Sequence, residues 1–180
     1  MVHRWPTNHM NARTLDQAWL TSWRDDINRA LTPLLATFEH TYGYPPGENR
    51  IAPAEDRPTG RESDFHPDMP AILTVFYRTI HEVLLPDIGN GYFVHPLGHV
   101  LNELTEQGPV HLPESTQGVV FGSDGGGILY AISDGGTIHR SQVASRDFDF
   151  APLATDLTDF LDQLRQATIR FIATGQPGWL

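Results

Sequence analysis

The sequence predicts an α+β domain: an antiparallel sheet with a C-terminal meander, packed against an N-terminal and a C-terminal helix. Three observations carry this. Apolar residues recur at helical spacing near both ends of the chain, at Leu15, Trp19, Trp23, Ile27, Ala30 and Leu34 and again at Leu157, Phe160, Leu161, Leu164, Ala167 and Phe171. Between them, short apolar runs separated by glycine-rich turns read as strands that reverse on themselves. Helices first, then a meander, then a helix is the order of an α+β fold with helices segregated to one side of a sheet.

Residues 1–13 show no periodicity and are expected to be a flexible N-terminus. One domain is expected over residues 14–175, followed by a tail at 176–180. Thr14 is a suitable N-cap for the first helix. Pro33 should kink that helix or restart it with Thr32 as the cap, and Gly43 should end it. From Tyr44 to Pro67 the chain is crowded with Pro45, Pro46, Gly47, Pro53, Pro58, Gly60 and Pro67. No strand or helix pattern survives there, so residues 44–68 are expected to form a long surface loop. A second helix is predicted from Pro70 to Leu84, with Ile72, Leu73, Phe76, Ile80, Val83 and Leu84 on one side and Pro86 as its stop. Gly91–His95 reads as a strand and Val100–Leu104 as a short helix.

The next segment is the most informative. Val119-Val120-Phe121 is a strand, and Gly122-Ser123-Asp124-Gly125-Gly126-Gly127 is a glycine-rich turn. Ile128–Ile132 is a strand apolar on both faces and hence covered on both sides. Ser133-Asp134-Gly135-Gly136 carries an Asp-Gly hairpin signal leading into a strand at Thr137–Arg140. At least one of Gly125, Gly126 and Gly127 should take a positive φ, and alanine there should cost more than about 1 kcal/mol. A final helix is expected from Asp156 to Ala173, with acidic Asp156 and Asp159 at its N-terminus and Gly175 at its end.

Charge narrows the function. The 180 residues hold 22 acidic against 12 basic side chains, for a net charge of −10, and every basic residue is Arg. Such a chain repels nucleic-acid phosphates and anionic membranes, so neither is expected as a partner. A basic protein would instead be attracted. There is no Cys, which removes disulfides and thiolate metal sites and fits a reducing, cytoplasmic setting. The first 13 residues lack the apolar core of a secretory signal.

Catalytic equipment is not visible. The glycine-rich turn leads into a strand instead of a helix and has no Lys, so a phosphate loop is not expected. His95 and His99 are four apart, but Pro96 intervenes and no Glu adjoins the first histidine, so no metal site is expected. No serine sits in a nucleophile elbow. Glu55, Asp56, Glu62 and Asp64 crowd the proline-rich loop as solvated carboxylates. The expectation is a protein with no catalytic residue and no cofactor.

The run Val119-Val120-Phe121-Gly122-Ser123-Asp124-Gly125-Gly126-Gly127 followed by Leu129-Tyr130-Ala131-Ile132 resembles the signature of the SUKH superfamily. That superfamily includes the Smi/Knr regulators of yeast cell-wall synthesis and many bacterial immunity proteins. Met69-Pro70 before an amphipathic segment, Gly91–Pro96 before a short helix, and the closing Ala154–Leu164 segment resemble its flanking elements, so the likeness spans about residues 69–172. The N-terminal third has no such counterpart. The resemblance implies a SUKH-like α+β fold with no enzymatic activity. It implies an immunity protein that neutralises a polymorphic toxin, nucleases being one class of these, by forming a complex. The alternative it implies is a scaffold of the Smi/Knr type, and a hydrolase or small-ligand protein is the third reading. The expected partner is a basic toxin domain, met by a monomer or weak homo-oligomer, with Asp124, Glu55, Asp56, Glu62 and Asp64 as the contact candidates.

Overall fold

The computed structural model describes residues 15–58, 66–178 and 180. Among the described residues, four α-helices and one eight-stranded, wholly antiparallel sheet make up an α+β domain. Helix α1 spans Gln17–Tyr42 and α4 spans Leu157–Thr174. Strands β1 (Arg50–Pro53), β2 (Ile80–Leu85), β3 (Tyr92–Val94), β5 (Gln117–Asp124), β6 (Leu129–Ser133), β7 (Ile138–Ser141) and β8 (Phe150–Ala154) follow one another across the sheet. The two-residue β4 (Val110–His111) pairs with β5 alongside this path. The predicted meander is present, with Val119 opposite Ile132, Val120 opposite Ala131 and Ile132 opposite Ile138.

The alternation along these strands builds two cores. Val119, Phe121, Tyr130, Ile132 and Ile138 join Leu20, Trp23, Ile27 and Leu31 of α1 and Phe160, Leu161 and Leu164 of α4 in the larger one. The Phe160 ring lies 5.4 Å from Phe121 and 5.2 Å from Tyr130, edge-to-face and tilted, geometries that aromatic quadrupoles favour. Val120 and Ala131 point the other way, into a smaller cluster with Val110, Leu112 and Phe150. Strand β6 is therefore covered on both sides, as its two apolar faces require. Trp23 ties the two long helices together, its indole N–H donating to the buried carbonyl of Leu161 at 2.8 Å.

Several elements differ from the sequence reading. Thr14 lies outside the described residues, and the cap of α1 is Asp16, whose carboxylate accepts the amide of Trp19 at 2.8 Å. The helix does not restart at Pro33 with Thr32 as its cap. It runs on to Gly43, which closes it at φ +81 and donates to Glu39 O. A buried stripe spanning Leu20 to Phe38 outweighs the one amide that Pro33 lacks.

The predicted 70–84 helix splits. Helix α2 covers only Ala71–Tyr77, and Ile80–Leu85 is strand β2 between β1 and β3. Ile72, Leu73 and Phe76 fit either period, but Ile80, Val83 and Leu85 are buried by pairing on both sides, which the local pattern cannot reveal.

The region taken as a structureless loop contains β1 and a 3-10 turn at Ala54–Asp56. The edge strand β1 is held to α1 by Asn28, whose side-chain amide donates to Ile51 O at 3.0 Å and accepts from Ile51 N at 2.9 Å. That exchange satisfies backbone groups which an edge strand would otherwise leave open. Before it, Asp87 accepts from the Gly47 amide and from the Asn49 side chain, fixing residues 47–49. The expected short helix is α3, Leu97–Gln107, longer than the apolar run alone suggested. At the close of the chain Asp156 caps α4, and Asp159 accepts the Thr155 amide, which holds its carboxyl below the ordinary range. Among the described residues no helix is long and apolar enough to cross a membrane.

Candidate functional site

Among the described residues, two places gather chemistry-bearing side chains. The first is the glycine-rich turn between β5 and β6. Asp124 shapes it: one carboxylate oxygen accepts the amides of Gly126 at 2.8 Å and Ile128 at 2.9 Å, and its main chain pairs with Ile128 O. Gly127 takes φ +85, as the sequence requires of one glycine here. Gly125 lies against the neighbouring turn, donating to Asn90 O and Gly91 O. Gly122 lies under Phe93 O, which an added Cβ would meet at 2.4 Å. These glycines serve close backbone approach, while Phe121 is wholly buried and Ser123 faces His95.

Beside this turn Asp124, Arg140, Tyr92 and Tyr130 line a cavity of about 260 Å³, closed by Pro177, Gly178 and Leu180. Arg140 donates to Leu180 O there. Burial and the Asp124 charge both push the two tyrosine hydroxyls up, so they stay protonated donors. A convergence of charged and phenolic groups was not expected from the sequence. Residues 176–178 turn back far enough for Gly178 to abut Ala167 of α4.

The second place is where β3 runs into α3. Pro96 does not interrupt the helix but precedes its first turn, so His99 stands on α3 with Glu103 one turn further on. His95, the residue after β3, completes a group whose ligating atoms all lie within 4.8 Å of one another. The His95 and His99 rings meet edge to face with centroids 4.6 Å apart. His99 Nε2 stands 3.8 Å from Glu103 Oε1. Arg146 reaches the other oxygen at 3.6 Å while donating to Gly108 O. His95 Nε2 lies 3.1 Å from Ser123 Oγ, and its buried Nδ1 has no hydrogen-bond partner. Burial, with the nearby His99, pushes the His95 pKa down from 6.5 to about 4, so this imidazole is neutral at physiological pH. The spacing 95, 99, 103 was the signal for this group. Sequence reading weighs only the intervening Pro96 and the lack of a Glu beside His95, and the carboxylate that completes the group stands one helical turn beyond His99.

The remaining candidates are dispersed. Asp56 is exposed and already bonded to Arg50 at 2.7 Å, while its neighbour Glu55 is exposed on the same 3-10 turn. Glu62 and Asp64 lie outside the described residues. Among the described residues, Asp124 at the end of β5 and the Glu55–Asp56 turn after the edge strand β1 do not form one site. Compared with family models, with curated proteins and with solved structures, the chain matches none of them.

Proposed function

We propose that this protein acts by binding a basic protein partner, as a SUKH-like immunity protein that neutralises a toxin, and that it is not an enzyme. One observation carries the reading: a net charge of −10, with every Asp and Glu among the described residues keeping part of its area in water. Charge placed this way steers a cationic protein toward the surface and favours its encounter. The order of elements supports the SUKH resemblance. A proline-initiated helix, the strand β3, a glycine turn inside a meander and a closing helix succeed one another around one sheet.

Within the acidic surface Glu55 has the better claim to contact the partner, because Asp56 is engaged by Arg50. Asp124 contributes by holding the turn in shape. A toxin nuclease domain, basic because it holds phosphates, has the complementary charge, and the reading places the complex in the cytoplasm.

Co-expression with the product of the adjacent gene tests this. The expected result is that the neighbour harms cells, that this protein rescues them, and that the association rate falls as salt rises while dissociation changes less. A harmless neighbour, or a harmful one that neither binds nor is neutralised, overturns it.

A further inference from the structure

The sequence gives no expectation of a metal site, yet the junction of β3 and α3 has the parts of one. Two imidazoles and one carboxylate converge within 4.8 Å. Ligand atoms on a tetrahedral zinc ion, bound at about 2.0–2.2 Å, stand about 3.3 Å apart. His99 Nε2 and Glu103 Oε1, at 3.8 Å, are near that spacing already, and the exposed His99 side chain has room on its solvent side.

The surroundings agree with the ligand set. A metal-binding histidine commonly uses its second ring nitrogen to hold an outer partner, which orients the ring. Ser123 Oγ at 3.1 Å from His95 Nε2 stands where such a partner would, and in the tautomer with the proton on Nε2 the buried, unpartnered Nδ1 offers its lone pair to the metal. The carboxylate is divided in the same way: Oε1 faces His99, while Arg146 stands near the outer oxygen Oε2. The guanidinium stands by Oε2 and leaves Oε1 as the metal-facing oxygen, and its positive charge tempers the affinity.

We infer that His95, His99 and Glu103 form a binding site for one divalent transition metal of the zinc class. Imidazole and carboxylate donors suit zinc, cobalt or nickel, whereas calcium and magnesium prefer all-oxygen sites. Three protein ligands leave a fourth position open to water or to an outside donor. The site is independent of the partner-binding proposal and stands or falls separately.

The test uses the full chain, stripped with chelator and titrated with Zn²⁺ alone by equilibrium dialysis and with Co²⁺ alone by visible absorption. One equivalent should bind, Co²⁺ should show the intense bands of a low-coordinate site, and Zn²⁺ should raise the melting temperature. His99→Ala and Glu103→Gln should each weaken binding at least tenfold, since loss of even an outer-shell partner costs about 10–100-fold. Ser123→Ala should weaken it about tenfold, and Arg146→Met should strengthen it. His99 is exposed, so its replacement should leave the chelated protein's melting temperature unchanged and keep the comparison clear of misfolding. His66→Ala, a histidine elsewhere on the surface, should have no effect. Binding of less than one equivalent, or stoichiometric binding that survives both His99→Ala and Glu103→Gln, overturns the inference.

Discussion

Replacing each glycine of the β5–β6 turn by alanine separates three physical effects that the sequence alone treats alike. At Gly125 a Cβ would sit 2.2 Å from Asn90 O, a backbone atom of the adjoining turn. Carbon–oxygen contacts settle at about 3.3 Å or more, so the two turns would have to part by about 1 Å. Forced overpacking of this kind costs about 1–3 kcal/mol. The Gly125 N–H bond to Asn90 O at 3.0 Å would also be weakened, at about 1 kcal/mol. Together these give about 2–4 kcal/mol for Gly125→Ala, a fall in melting temperature on the order of 10 °C for a domain of this size. At Gly127 the difficulty is conformational: φ is +85, and alanine there costs about 1–2 kcal/mol. At Gly126 the contact is milder, with a side chain that needs to give by only a few tenths of an ångström and no backbone in the way. The nearest atom to a Cβ is Asp124 Oδ1 at 3.3 Å and φ is ordinary, so Gly126→Ala should be close to neutral, helped by reduced freedom of the unfolded chain. Urea denaturation of the three variants, with unchanged slopes, measures the ranking directly. A Gly126→Ala as damaging as Gly125→Ala, or a neutral Gly125→Ala, would refute the close-approach argument.

Two further predictions follow from single groups. Asp124→Ala should cost about 1–2 kcal/mol by freeing the amides of Gly126 and Ile128, whereas Asp124→Asn, which keeps a carbonyl acceptor, should cost less than half as much in the same denaturation assay; equal losses would mean that charge, not acceptance, matters there. His139 is buried on β7 and burial pushes its pKa below 6.5, so the unfolded chain takes up a proton more readily than the folded one. Its contribution is therefore intact above pH 6.5 and declines as pH falls below it, and the stability–pH curve of His139→Gln should be flatter there than that of the parent; superimposable slopes would remove His139 as the cause.

Local physics was enough for much of this protein. Helices α1 and α4 were legible because long apolar stripes at 3.6-residue spacing bury the same face whatever they pack against, and Gly43 and Gly175 end them by reaching φ values that other residues resist. The meander was legible because β5 and β6 alternate cleanly around turns with one dominant chemistry, although Gly136 and not Gly135 takes the positive φ at the second turn. Tertiary context decided the rest. Strand β2 looked helical until β1 and β3 flanked it, and β1 had no pattern of its own because Asn28, twenty-three residues earlier, supplies its outer partner. Strand β8 was unseen because Pro152 and half-exposed neighbours hide a segment that β7 pairs with from the other side. The candidate metal group depends on the same kind of information. His99 and Glu103 share a helix face that spacing could suggest, but their meeting with His95 depends on the angle at which β3 passes into α3. That angle is set by Val100 and Leu104 packing into the core and by Ser123 on a strand twenty-eight residues away, and neither constraint is written in the local sequence.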